Sequence, residues 1–202
     1  MDFKSHLENA WHLSIKHIAP LILTTMVMIG VSVLTMGLLA PAMLAGYVYS
    51  LLLLVRDGRE PKIGDLFSHL HLFLPLFLFS FVVFLLILIG FFKLFFLPGI
   101  AVACLVTFAC LYVLPLMTDQ KLGLMDAIKT SWKMSVQGNI ADHIVVVILF
   151  IGLLSIGSSV FIGTLFTQPF ATIFVLSVYL ERMGQNNPMA TAPNPPPSSY
   201  QS

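Results

Sequence analysis

The chain has 202 residues and a formal net charge of +1; 58% of it is apolar and only 9% is Asp, Glu, Lys or Arg. Soluble proteins carry roughly 25% charged residues, and a soluble domain of this length cannot hide so much apolar surface. A soluble globular fold and a disordered chain are therefore excluded, and ten basic against nine acidic residues leave no basic surplus for nucleic acid. The composition predicts an all-α polytopic membrane bundle whose first partner is the lipid bilayer. No cleavable signal peptide is expected, because Asp2 and Glu8 stand where its basic and apolar regions would lie.

In chain order, an amphipathic stretch comes first, with Phe3, Leu7, Trp11 and Ile15 recurring every four residues. From Ile18 to Val55 there is no charge. One helix of that length would run about 57 Å, nearly twice the hydrocarbon thickness of about 30 Å, so the run must fold back. The reversal is predicted at Gly37–Pro41, between helices near Ile18–Leu38 and Pro41–Val55. Leu66, Leu70 and Leu74 form a weaker amphipathic copy. Leu74–Leu97 then makes a third pass, Pro98-Gly99 breaks it, and Ile100–Met117 returns. Leu124, Ile128, Trp132 and Val136 repeat the first stripe 121 residues later. Ile144–Phe166 is the fifth pass, Gln168-Pro169 the break, and Phe170–Leu180 the sixth.

The prediction is six transmembrane helices in three hairpins, each preceded by an amphipathic interfacial helix. Residues 1–182 form the membrane domain, as three repeats of about 60 residues related by an axis along the membrane normal. The Pro-rich tail 183–202 has no charge and is expected to be disordered. Trp11 and Trp132 are the expected interfacial anchors. Six crossings put Lys4, Lys16, Arg56, Arg59, Lys62, Lys121, Lys129, Lys133 and Arg182 on one side. By the positive-inside rule that side, with both termini, is cytoplasmic, in a cell inner (plasma) membrane. Lys93 alone lies near the other face, close enough to snorkel.

Small residues recur at four-residue spacing and predict close helix packing: Ala42, Gly46 and Ser50; Gly99, Ala103 and Thr107; Ser155, Ser159 and Gly163. The same stripes would serve a homo-oligomer face or a pore lining. Gly152 and Gly157 imply packing or a kink in the fifth helix. Cys104 and Cys110 read as small apolar residues.

Ionisable groups inside the membrane are the usual mark of catalysis or coupled transport, and the chain has almost none. Asp142 and His143 open the fifth helix, where a carboxylate suits the helix dipole. Asp65, His69 and His71 could reach one ion, but as interfacial loop residues they predict no metal site. No Ser/His/Asp set, phosphate loop or paired carboxylates occur. The expectation is no enzyme, no catalytic residue and no cofactor.

The stretches Pro41-Ala-Met-Leu-Ala-Gly46-Tyr47, Arg56-Asp-Gly-Arg-Glu-Pro61, Gly64-Asp65-Leu66-Phe67 and Leu124-Met-Asp126-Ala127-Ile128-Lys-Thr-Ser131 resemble a pattern of bacterial six-helix inner-membrane families of unassigned activity. Those families are related to the membrane domain attached to some glycerophosphodiester phosphodiesterases. The resemblance covers roughly residues 1–182 and implies a six-helix membrane protein. The phosphodiesterases' catalytic barrel, which needs about 250 residues, has no counterpart here. The function expected is that of a non-enzymatic scaffold or accessory protein, with a membrane or cytoplasmic protein partner met through the cytoplasmic interfacial helices. The alternative is a passive permeation or lipid-handling protein, its path lined by Thr24, Thr25, Ser32, Thr107 and Ser155.

Overall fold

A computed structural model describes residues 3–93, 97–136, 140–158 and 161–186. Among the described residues every regular element is helical. Helix α1 (Phe3–Lys16) is followed after His17 by α2 (Ile18–Leu34), bent 87° from it. The chain reverses at Thr35–Leu39, where Met36 (φ 52°) and Gly37 (φ 82°) take the left-handed conformation, and α3 (Ala40–Asp57) starts with Pro41 in its first turn. This is the predicted place and the predicted chemistry. A left-handed Gly58 ends α3 (φ 67°), and the short α4 (Ile63–Leu66) and a 3-10 turn (Leu70–Leu72) lead into α5 (Phe73–Lys93). Then come α6 (Leu97–Cys110), α7 (Val113–Asp119), α8 (Leu124–Val136), α9 (Ile140–Ser158) and α10 (Phe161–Asn186).

Among the described residues, four helical segments are long and apolar enough to cross a membrane, or five if the bent pair α1–α2 counts as one. Helix α2, at 17 residues, is about 26 Å long, and the 18-residue α3 carries Tyr47, Tyr49, Ser50, Arg56 and Asp57 among its apolar residues. Yet α3 is the inner helix of the bundle, with Met43, Ala45, Tyr47, Leu51 and Leu52 wholly buried. Helix α10 joins it there: 61% of its apolar window is buried, against 6% for the segment containing α5. Helices α3 and α10, with α7, thus build the core, and α5 leaves most of its apolar surface outside.

The return pass after Pro98 is one apolar segment, Ala101–Asp119, in keeping with the expected Ile100–Met117, with a short interruption between α6 and α7. Pro115 cannot bond the Leu111 carbonyl and suits the first turn of α7 instead. Two expectations are corrected. Gln168-Pro169 does not end a helix: α9 ends before it at Ser158, and α10 runs through it from Phe161 to Asn186. Transmembrane helices tolerate such a proline when neighbours cover the freed backbone, and Pro169 is buried. Secondly, α10 carries residues 183–186; the remaining tail lies outside the described residues.

The amphipathic stripes also turn out differently. In α1 the inward face is Phe3, His6, Leu7, Ala10, Leu13, Ser14 and His17, whereas Trp11 and Ile15 are about half exposed. A strict four-residue ridge advances about 40° per step at 100° per residue, so three steps carry it some 120° off the core. Helix α8 repeats this drift, with Ala127, Ser131, Met134 and Ser135 buried and Trp132 and Val136 exposed.

Candidate functional site: a belt of polar contacts at one end of the bundle

The polar side chains converge where α3, α7 and α10 end. Arg56 of α3 donates through both terminal nitrogens to Asp119 of α7, at 2.8 and 2.7 Å, and the Tyr179 hydroxyl of α10 donates to the same carboxylate at 3.1 Å. Asp119 is only 9% exposed, so these three donors replace its lost water. Burial of a charge is tolerable on these terms, and three helix ends are thereby held together.

Each entry segment is pinned to a neighbouring inner helix. His6 of α1 shares a hydrogen bond with Ser177 (2.6 Å) and pairs with Glu181, both on α10. Asp65 of α4 accepts from Ser50 of α3 (2.9 Å), from Arg59 and from the Lys62 amide (3.3 Å). The Asp65 carboxylate raises the pKa of the Arg59 guanidinium above its ordinary value. On α8, Ser131 donates to the Ala109 carbonyl (2.7 Å) and Ser135 to that of Phe108 (3.1 Å), just before the α6–α7 break. His143 of α9 donates from Nε2 to the Phe108 carbonyl (2.8 Å), which leaves Nδ1 facing the Tyr112 hydroxyl at 3.4 Å. Side chains of α8 and α9 thus cover the Phe108 and Ala109 carbonyls beside the break.

Aromatic rings follow the same plan. Trp11 stands edge-on to Phe166 and Phe170 of α10 (5.7 and 6.0 Å), and Trp132 edge-on to Phe108 of α6 (6.3 Å). In the middle copy, which lacks tryptophan, the His69 ring lies 4.6 Å from Tyr49 of α3. Both tryptophans thus grip a phenylalanine with one edge and stay half exposed on the other.

The small-residue stripes divide. Ala42, Gly46 and Ser50 are all buried, and Gly46 is where α4 meets α3: a Cβ there would stand 2.6 Å from the Asp65 carbonyl oxygen and closer still to that of Leu66. Gly163 touches Gly157, a Cβ at Gly163 standing 2.9 Å from the Gly157 carbonyl, and one on Gly157 would collide with Thr167. That glycine crossing closes α9 on α10, with the Thr164 hydroxyl donating to the Gly157 carbonyl at 3.1 Å. Ala103 and Thr107 are half-buried and bond each other within α6 (2.9 Å). Ser155 is exposed on the outside of α9 and bonds Ile151 of its own helix. The surroundings of Gly99 and Ser159, and the Lys93 side chain, lie outside the described residues.

Other expected groups are held apart. Asp65 is committed to its clamp, and His69 and His71 stack on each other at 5.7 Å. No group of three His, Cys, Asp or Glu among the described residues is placed to hold a metal ion. Of the five residues suggested for a permeation path, Thr24, Thr25, Ser32, Thr107 and Ser155 each bond a carbonyl one turn back on their own helices. A separate cleft of about 80 Å³ lies between α3, α7, α9 and α10, with Gln168 and Thr172 as its polar groups among Leu44, Leu114 and Phe150.

Sequence reasoning missed His6, His143 and Arg182. His143 is wholly buried, and its signal was the run His143, Val146, Val147, Phe150 at helical spacing. Arg182, 7% exposed, donates to the Met134 carbonyl and lies 5.7 Å from the Tyr112 ring centre, instead of facing water. Comparison with family models, curated proteins and solved structures returns no match for this chain.

Proposed function

We propose that the chain is a six-span inner-membrane protein, built of three hairpin repeats with both termini cytoplasmic, that acts as a non-enzymatic scaffold or accessory protein. One observation carries this reading. The three entry segments dock in cyclic order, α1 on α10, α4 on α3 and α8 on α6 and α7, each on the inner helix of the preceding unit. A parallel threefold repeat around a membrane-normal axis accounts for that order. It also accounts for three polar pins and three ring contacts at one end. The basic residues sit with that belt, which is the distribution the positive-inside rule expects of a cytoplasmic face. The outer faces of α1 and α8 are left for a partner. The kinship with the six-helix families rests on the motifs, of which Gly46, Arg59 and Asp65 meet in one clamp.

Native purification in mild detergent with a C-terminal tag, followed by mass spectrometry, tests the reading. A reproducible protein neighbour is expected; crosslinking in cells that finds none would overturn it. The cleft favours a second reading, passive passage of a small solute, since the Gln168 side-chain amide that lines it is costly at membrane depth without a use; the Thr172 hydroxyl beside it donates to the Gln168 carbonyl at 2.8 Å. Solute uptake into proteoliposomes that is lost on Thr172→Leu would select this reading.

A further inference from the structure

The two tryptophan-bearing helices present the same outer wedge with different charge. On α8 the exposed residues are Met125, Asp126, Lys129, Trp132, Lys133 and Val136. At 100° per residue, Lys129 and Lys133 lie about 60° and 100° round the axis from Trp132, one helical turn apart on one face. The opposite face is fixed by Ser131 and Ser135 on α6, so the lysines point away from the bundle. Among the described residues neither lysine enters an ion pair, whereas on α1 Lys4 pairs with Glu8 at 3.7 Å. Glu8 and His12 occupy on α1 the places of Lys129 and Lys133 on α8. Asp126 shares the α8 wedge, and exposed Lys121 just before the helix restores its basic surplus.

The depth of the wedge is set by Trp132, whose ring rests on Phe108 inside an apolar span. Both lysines are exposed one step round the helix from that ring, where an interfacial α8 carries them at headgroup level on the membrane reading proposed above. We propose that the outer wedge of α8 is a docking site for anionic phospholipid headgroups. Lys129 and Lys133 hold the phosphate oxygens and Trp132 lies along the glycerol boundary, while the self-paired wedge of α1 has no such preference. The proposal rests on the membrane reading above.

The chain has two tryptophans, one on each wedge, and this supplies the test. Trp11→Phe leaves Trp132 as the sole indole reporter, and Trp132→Phe leaves Trp11. Each full-length variant is reconstituted into phosphatidylcholine vesicles containing a minor fraction of brominated phosphatidylglycerol or, separately, brominated phosphatidylcholine. Trp132 should report an enrichment of the anionic lipid on the order of fivefold per lysine, falling towards one in Lys129→Gln/Lys133→Gln. Trp11 should report equal quenching by the two lipids. High salt should shrink the Trp132 preference without any substitution. Equal quenching of Trp132 by both lipids, or a preference indifferent to salt and to the lysines, overturns the proposal. Failure of either lipid to quench either tryptophan overturns the membrane reading with it.

Discussion

At the scale of single residues, Gly46 and Asp119 show how little tolerance the belt has. No side chain fits between Gly46 and the α4 backbone, because the obstruction is two carbonyl oxygens and not a movable side-chain tip. Gly46→Ala should therefore lower stability by about 1–3 kcal/mol, the usual range for overpacking. Gly152→Ala, which meets nothing within 4 Å and gains helix propensity, should be neutral or slightly stabilising. Unfolding in mixed micelles compares the two, and equal losses would refute the assigned role of Gly46. Asp119 is buried beside a 40% exposed Arg56. Arg56→Gln leaves that carboxylate short of its cation and should cost more than Arg56→Gln combined with Asp119→Asn. A coupling of about 1–3 kcal/mol in the double-mutant cycle is expected.

At the scale of elements, the α6–α7 break is the best place to measure what a polar side chain is worth at an interrupted helix. The carbonyls of Phe108 and Ala109 depend on Ser131, Ser135 and His143, which come from two other helices. Ser131→Ala removes a bond that nothing local can replace, and should destabilise by roughly 1–3 kcal/mol. Ser32→Ala removes a bond to Met28 within its own helix and should stay within about 0.5 kcal/mol. Entry helices α1 and α8 obey the same logic, since serines and His6 face inward to meet backbone or α10 while the tryptophans ride half out.

At the scale of the whole molecule, the cyclic docking makes the first and last helices neighbours through His6, Ser177 and Glu181. The ends of α3, α7 and α10 meet through Arg56, Asp119 and Tyr179, so they lie on one side of the bundle. Thiol labelling tests the crossing directly in a Cys104→Ser/Cys110→Ser background. Arg59→Cys and Lys121→Cys should react with an impermeant reagent from the same side. Leu38→Cys, at the exposed tip of the first reversal, should react only from the other. Labelling of Leu38→Cys from the Arg59 side would show that α2 and α3 do not cross.

Length, composition and hydropathy by themselves determined a helical chain with several apolar segments of membrane length, and the reversal at Gly37, because backbone satisfaction in lipid and a left-handed turn are local requirements. The Gly46 stripe was legible for the same reason: a close approach needs a small residue wherever its partner comes from. Pro115 and Pro169 look alike in sequence, yet one stands in the first turn after the α6–α7 interruption and the other is carried inside α10. Likewise, His143 and Arg182 became interior groups only because Phe108, Tyr112 and Met134, remote in sequence, supplied acceptors and a ring face. Which polar side chains turn inward was left to tertiary structure, because the cost of burying one depends on partners that only the assembled bundle brings within reach.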